Sequence, residues 1–338
     1  MIGIGVIGCG HWGPNHIRNL SSLAGVKVFM AADLEARRRS AVERMFPDVK
    51  VTANHRELFA DERITAIVVA TPSATHHALV KEALEQGRDV LCEKPLATTT
   101  PDAKDLAETA KKHGRLLMVG HTFLFNPGIL KLKNLIDEDV AGKLYYMHAV
   151  RTNLGPIRGD VNVVADLASH DISIFNYLRG TLPTSVSARG GRFLRSTIDD
   201  VAYVTLEYPG NVMGSIMVSW LHPQKVRQVT VVGDRKMILW DDLGPMGPLT
   251  IFDKSVARDA HYADFGEFHL LAREGDVTIP RVPLAEPLKL EAEHFVNCLR
   301  EKSKSRTPAE QGVEVCRVLD AIEKSMQAHG APVEVGGA

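Results

Sequence analysis

The chain has 338 residues, 45% of them hydrophobic and 24% charged, with 40 Lys and Arg against 41 Asp and Glu. A formal net charge of −1 gives no electrostatic reason to expect nucleic acid or an anionic membrane as a partner. No apolar run reaches the roughly eighteen residues of a membrane span and no charged leader opens the chain, so a cytoplasmic protein of two domains is expected.

The first 33 residues carry the strongest signal. Met1 to Ile7 is an apolar run, Gly8-Cys9-Gly10-His11-Trp12-Gly13 follows at once, and a helix-like segment leads to a second strand ending in Asp33. A strand, a glycine-rich turn, a helix, a strand and a terminal acid describe half of a dinucleotide-binding unit. Gly8 suits the tight turn, Gly10 lets the backbone approach a pyrophosphate, and Gly13 lets the helix pack close to the sheet. The helix N-terminus then presents free N–H groups to the phosphates. With 27 glycines in the chain, such a triplet arises by chance about 0.2 times. Its place between strand and helix, with Asp33 twenty residues past Gly13, separates it from a tight turn that binds nothing. A carboxylate at Asp33 can bind both ribose hydroxyls of an adenosine and repels a 2′-phosphate, so NAD is expected over NADP. Arg37, Arg38 and Arg39, a turn later, line the adenine edge or face solvent.

Beyond Asp33 the chain continues to alternate. A helix is predicted from Arg37 to Met45 and a short strand over Val49 to Val51. Ile64 to Ala70 is a continuous apolar strand of the kind found in parallel sheets covered on both faces. Helix His76 to Gln86 stops at Gly87, strand Asp89 to Cys92 follows, then helix Pro101 to His113 and strand Leu116 to Gly120. This alternation predicts a doubly wound Rossmann domain over residues 1–121, hence an α/β fold.

From Lys143 the grammar changes. Leu144 to Thr152, Val186 to Leu194, Val201 to Tyr208, Val212 to Trp220, Val226 to Gly233 and Met237 to Asp241 read as strands, with Pro209-Gly210-Asn211 as a hairpin turn. Helices are predicted over Asn126 to Asp137, around His170 to Arg179, and from Pro287 to the C-terminus. Residues 122–338 are therefore expected to form an α+β domain with a large, mostly antiparallel open sheet. Its free face is the expected contact of a homo-oligomer. Trp220, Lys225 and Arg227 fall around a sheet turn, where a subunit contact competes with ligand binding.

Candidate chemistry lies at the strand ends. Val68-Val69-Ala70 leads into Thr71-Pro72 and His76, and Val90-Leu91-Cys92 leads into Glu93-Lys94-Pro95. In an open α/β sheet, ligands lie beyond the carboxyl ends of the strands. Pro95 restricts Lys94 to extended backbone and helps hold its side chain toward the nicotinamide end, although a lysine there is as readily an exposed loop residue. Asp166 and His170, four residues apart on a helical turn, share a face, and a carboxylate beside an imidazole suits a base working near neutral pH. A helix-start acid and a core histidine would look the same. Arg151, Asn153, Arg158, Asp160 and Asn162 make a polar segment whose guanidiniums can grip a diphosphate or carboxylate, or which is simply a solvated loop. His121 and Asn126 follow the last Rossmann strand within reach of sugar hydroxyls or nicotinamide. Cys9, Cys92, Cys298 and Cys316 are scattered without metal spacing, so no metal is expected.

Taken in series, Gly8 to Gly13, Ala70-Thr71-Pro72 with His76, Glu93-Lys94-Pro95 and Asp166-Leu167-Ala168-Ser169-His170-Asp171 resemble the Gfo/Idh/MocA oxidoreductases over essentially the whole chain. The resemblance implies a Rossmann domain, a C-terminal α+β domain and NAD(P)-dependent redox chemistry on sugars and polyols by a homodimer or homotetramer. It implies cofactor contacts from Gly8, Gly10, His11, Trp12, Gly13, Asp33, Thr71, Pro72, His76, Glu93, Lys94 and His121. It implies substrate contacts from Lys94, Asn126, Arg151, Asn153, Arg158, Asp166 and His170. By the same carry-over His170 takes the proton, Asp166 orients His170, and Lys94 polarises the developing alkoxide, with Lys94 and His170 both open as the formal base. A finer likeness, through Gly120 to Pro127 and Arg151 to Gly155, is to UDP-N-acetylglucosamine 3-dehydrogenases, and implies oxidation at C3 of a UDP-linked N-acetylhexosamine. A dehydrogenase of a free polyol such as inositol, or of an aldose, is the alternative within the family. A non-catalytic NAD-binding regulator is the alternative outside enzymes.

Overall fold

The computed structural model describes residues 1–155, 157–258 and 270–336. They fall into two compact units, Met1–Asn126 with Ala285–Asp320, and Pro127–Leu284 with Ala321–Ala338.

In the first unit six strands run parallel in the order Lys50–Thr52, Val26–Ala32, Ile2–Ile7, Ala66–Val69, Asp89–Glu93, Leu117–Gly120. The strand order reverses between Ile2–Ile7 and Ala66–Val69, the switch point at which such sheets open a ligand crevice. Ala66–Val69 is buried at every residue because helices cover both faces, which is why it reads as an unbroken apolar run. The helix predicted from Pro101 is Thr100–His113. Thr99 caps it by accepting the Asp102 N–H, and Gly114 ends it in the left-handed region.

The C-terminal segment departs from expectation. It is not one helix but Pro287–Glu301, Ala309–Gln327 and a short strand, Val333–Glu334. Nor does all of it belong with the second sheet, as a 122–338 domain would require. Ala292, Phe295 and Val296 enter one apolar cluster with Ile4, Ile17, Leu20 and Phe125, so Ala285–Asp320 completes the core of the Rossmann unit. A buried Phe is worth about 2–3 kcal/mol of transfer free energy, enough to decide which core the helix joins.

In the second unit nine strands form one sheet, ordered Leu270–Thr278, Leu249–Arg258, Met237–Asp241, Leu221–Gly233, Leu144–Leu154, Val212–Ser219, Val201–Tyr208, Ser185–Gly191, Val333–Glu334. Every neighbouring pair is antiparallel except Leu144–Leu154 with Val212–Ser219. The predicted hairpin forms, with Gly210 at φ 83° and Asn211 at φ 58°, the backbone region that Gly and Asn tolerate best. Strand Val201–Tyr208 buries alternate residues, Ala202, Val204, Leu206 and Tyr208. On the buried face a side chain added at Gly214 would meet Phe175 of helix Ser169–Arg179 at 3.2 Å. The opposite face displays Tyr146, Tyr203 and Met213, which are 40%, 60% and 51% exposed. Strands Leu249–Arg258 and Leu270–Thr278 were not expected from sequence.

Candidate active site

The glycine turn has the shape a dinucleotide needs. Gly8 sits at φ 100°, and a side chain there would lie 2.4 Å from the Ala70 carbonyl oxygen. A side chain at Gly13 would lie 1.9 Å from the Gly8 oxygen, so helix Gly13–Ser21 starts directly over the turn. At Gly10, by contrast, a Cβ meets nothing nearer than Arg38 Nη1 at 4.0 Å, which leaves room for a pyrophosphate against bare backbone. His11 and Trp12 are exposed at the same turn.

Asp33 is fixed by two backbone donors, Cys9 N–H to Oδ2 at 2.7 Å and Glu35 N–H to Oδ1 at 2.8 Å. A carboxylate has about four lone-pair sites, so two remain for ribose hydroxyls. Of the three arginines beyond it, Arg39 donates to the carbonyls of Asp33 and Leu34, whereas Arg38 lies 3.7 Å from Asp33 and pairs with Glu35 at 3.0 Å. NAD is accordingly expected to bind more tightly than NADP by about 1–3 kcal/mol, with Arg38 keeping the gap toward the lower figure. Titration calorimetry at moderate salt measures it. Asp33→Ser narrows the gap, and equal affinities in the unmodified protein would refute the ribose role. Burial, with the Asp33 charge nearby, pushes the Cys9 thiol up to about 12, so it is inert at neutral pH.

At the ends of the next strands, His76 is buried, and its ring nitrogens lie 2.9 Å from the Pro95 carbonyl and 2.9 Å from the Thr71 carbonyl. It ties the Thr71-Pro72 turn to the Glu93-Lys94-Pro95 loop. That is a bracing position behind the expected cofactor site. Glu93 is also buried and is bound by His16 Nε2 at 2.8 Å. Burial raises the Glu93 carboxyl, but the His16 hydrogen bond and the His16, Lys94 and His76 charges outweigh it, and the group ends below its ordinary range. Glu93 is therefore ionised, and its Oε2 also accepts from the main-chain N–H of Lys94 at 3.3 Å. The Lys94–Pro95 peptide bond is cis.

His121 is 1% exposed, and neither ring nitrogen has a hydrogen-bond partner among the described residues. Burial, then the Lys94 charge, pushes its imidazole down to about 4, so it is neutral at pH 7. A buried imidazole without partners is rare in a protein interior, and a polar cofactor group would satisfy it. Asn126 is buried as well. Glu291, which sequence reasoning missed, lies buried and accepts from Thr122 Oγ1 at 3.1 Å; burial and the Glu93 charge raise its carboxyl well above the usual range.

The second unit holds the other expected residues. Asp166 lies in a π-helical turn, Val164–Ala168, that runs into helix Ser169–Arg179 carrying His170. Such wide turns are frequent at functional sites, and this one replaces the ordinary helical turn that the spacing suggested. The Asp166 carboxylate accepts from Arg158 Nη1 at 3.2 Å and from Trp220 Nε1 at 3.1 Å. Arg158 also grips Asp160, at 2.9 Å and 2.6 Å. Trp220 lies at the bend between strands Val212–Ser219 and Leu221–Gly233, as expected, but at 1% exposure it is an interior residue and not a surface contact.

Arg151 corrects the sequence reading. Its guanidinium is 4% exposed and bidentate to Asp171 at 2.9 Å and 2.8 Å, so it is an interior ion pair and not a grip for a diphosphate. Its strand position alternates inward, and Asp171 is one residue beyond His170. Asn153, two residues on, folds its amide over Gly155, where a side chain would meet Asn153 Nδ2 at 2.5 Å. Asn162 donates to Glu323 at 3.0 Å and its own side chain accepts from the Ala165 N–H at 2.9 Å, capping the π-helical turn. Among the described residues no group of three or more His, Cys, Asp or Glu is placed to hold a metal ion, and no helix is long and apolar enough to cross a membrane.

Comparison with known proteins bears on this arrangement. Residues 2–121 match the model of an oxidoreductase family with an NAD-binding Rossmann fold, and residues 129–239 match the GFO/IDH/MocA C-terminal domain. An uncharacterized oxidoreductase of Bacillus subtilis is 25% identical over 98% of this chain and 96% of its own. An inositol 2-dehydrogenase of Paenarthrobacter aurescens is 36% identical, over 56% of this chain and 59% of that protein. The WlbA dehydrogenase of Bordetella pertussis, solved with NADH and UDP-GlcNAcA, superposes with a TM-score of 0.81 at 21% identity, covering all of this chain and 99% of that one. At that identity the likeness is one of fold. The two family models together span well over half of the residues, and the chain belongs to the Gfo/Idh/MocA family of NAD-dependent oxidoreductases.

Proposed function

We propose that this protein oxidises a secondary hydroxyl of a free cyclic polyol or sugar, with NAD as the hydride acceptor. The observation that carries the polyol reading is the charge around Arg158. Its guanidinium is already held by two carboxylates, Asp160 and Asp166, so it is not a spare cation for a phosphate. A diphosphate would find no uncommitted guanidinium there, whereas neutral hydroxyls can donate to the carboxylates. The name of the Paenarthrobacter relative, an inositol 2-dehydrogenase, agrees with this choice.

In this reading Asp166 orients His170, His170 takes the hydroxyl proton, and Lys94 stabilises the developing alkoxide. NAD supplies the acceptor for the hydride leaving the same carbon, so the product is a ketone. Gly8, Gly10, Gly13 and Asp33 hold the cofactor, with Thr71, Pro72, His76, Glu93 and His121 shaping its nicotinamide end. The second reading is oxidation at C3 of a UDP-linked N-acetylhexosamine. Two stretches, Gly120 to Pro127 and Arg151 to Gly155, and the fold shared with WlbA favour it. Its expected phosphate ligand Arg151, however, is committed to Asp171. Cofactor reduction followed by absorbance, with inositols, aldoses and UDP-sugars offered in parallel, separates the two. A protein that reduces NAD with none of them would leave the regulator standing.

The open sheet face is the proposed contact between two copies of the chain. Tyr146 and Met213 are register partners across neighbouring strands, and Tyr203 pairs with Met217 on the same side. A double change, Tyr203→Glu with Met213→Glu, is expected to shift the sedimentation mass to a monomer. An unchanged mass would place the contact elsewhere.

A further inference from the structure

We propose that Trp220 and Arg158 are positioning residues for Asp166, gripping its carboxylate from two sides so that one orientation is presented to His170. This rests on the dehydrogenase reading above. Trp220 Nε1 donates to Asp166 Oδ2 at 3.1 Å and Arg158 Nη1 donates to Oδ1 at 3.2 Å, so each carboxylate oxygen has its own donor.

Both donors are themselves braced. Trp220 joins strand Val212–Ser219 to strand Leu221–Gly233, is 1% exposed, and its main-chain N–H donates to the Asp200 carbonyl at 3.0 Å. Asp200, fully buried, has a carboxylate that accepts from the N–H groups of Phe193 and Leu194 at 2.7 Å and 2.8 Å. The indole thus stands on a framework of main-chain hydrogen bonds. Arg158 is fixed by Asp160, and its carbonyl accepts from Arg195 Nη1 at 2.7 Å.

Asp166 needs such bracing because of where it sits. A π-helical turn holds its backbone less regularly than an α-helix does, and a short carboxylate there has several rotamers of similar energy. An indole N–H is a donor only and moves with a rigid ring of two dihedral angles, so it holds its acceptor oxygen in one position. The guanidinium adds charge from the other side. Held this way, the remaining lone pairs of Asp166 point in a fixed direction, and the imidazole they orient loses less freedom when the proton moves.

The test is a double-mutant cycle. Trp220→Phe keeps the ring bulk and removes the donor; kcat for the polyol is expected to fall about tenfold or more, with KM changed by less than about twofold. Arg158→Met, on a partly exposed side chain, is expected to act in the same direction and serves if Trp220→Phe unfolds, as thermal melting would show. In an Asp166→Asn background each change should cost less than about twofold, because the carboxylate they position is gone. Loss by the same factor in both backgrounds would mean a merely structural role and overturn the proposal, as would an unchanged kcat. Full activity of His170→Ala would overturn the reading of the site itself, and the proposal with it, a result distinguishable from failure of the cycle alone.

Discussion

Lys94→Ala and His170→Ala are each expected to lower kcat by about 10² or more while leaving NAD affinity nearly unchanged. For Lys94 the reason is electrostatic. The charge of half-buried Lys94 helps keep the buried Glu93 ionised, and a positive charge in such a partly desolvated setting can stabilise a developing alkoxide by several kcal/mol. For His170 the loss is that of a proton acceptor, a contribution of about 10²–10⁴ in rate. Neither side chain belongs to the glycine turn or to Asp33, so calorimetric binding of NAD should report an intact cofactor site in both variants. Steady-state rates at saturating NAD, across a range of polyol concentrations, measure the effect on kcat separately from KM. Near-normal turnover in both variants would remove the catalytic assignment, and NAD binding without turnover in the unmodified protein would favour the regulator.

What could be read in advance was whatever depends on near neighbours. The turn Gly8 to Gly13 announces itself because sterics at each glycine are set within a few residues, and the hairpin at Gly210-Asn211 for the same reason. The alternating strands Val201–Tyr208 and Met237–Asp241 appear at the expected bounds because one sheet face is buried. Strands Leu249–Arg258 and Leu270–Thr278 escaped notice because their cross-strand partners are charged, Lys254 with Glu274 and Arg273 with Asp253. Such pairs stabilise a ladder yet read locally as a solvated loop.

The site was legible in type and not in partnership. Asp166 and His170 stood out by spacing, but nothing local reveals that the intervening turn is π-helical. Arg151 looked available because its partner Asp171 is twenty residues away and appears only when the strand and helix pack. Trp220 escaped assignment for a stronger version of the same reason, since its acceptor lies 54 residues earlier in the chain. Glu291 carries no motif at all, and its burial follows from the helix Pro287–Glu301 joining the Rossmann core. Long-range pairing of charged and polar groups is what turns a list of candidate residues into a site, and pairing is decided by the fold.

A free cyclic polyol is expected to be oxidised with a kcat/KM at least about a hundredfold above that of any UDP-sugar. A diphosphate denied two charge-assisted contacts of about 1.5 kcal/mol each, because Arg158 already holds Asp160 and Asp166 and Arg151 holds Asp171, forgoes about 3 kcal/mol. That is a factor of about a hundred. Arg158 could offset it only by releasing one of its two carboxylates, which would leave a partly buried charge unpaired. Arg151 could offset it only by breaking a buried bidentate pair, a loss of about 3–5 kcal/mol. The decisive comparison sets an inositol, a hexose, its 1-phosphate and the UDP-hexose side by side, in the unmodified protein and in Arg158→Ala. If neutral hydroxyls are what the site recognises, the phosphorylated forms lose stepwise with charge, and Arg158→Ala lowers the polyol rate through Asp166 without favouring any anion. If a UDP-hexose outperforms every free polyol and Arg158→Ala abolishes that advantage, the guanidinium is a phosphate ligand after all, and the nucleotide-sugar reading replaces the polyol one.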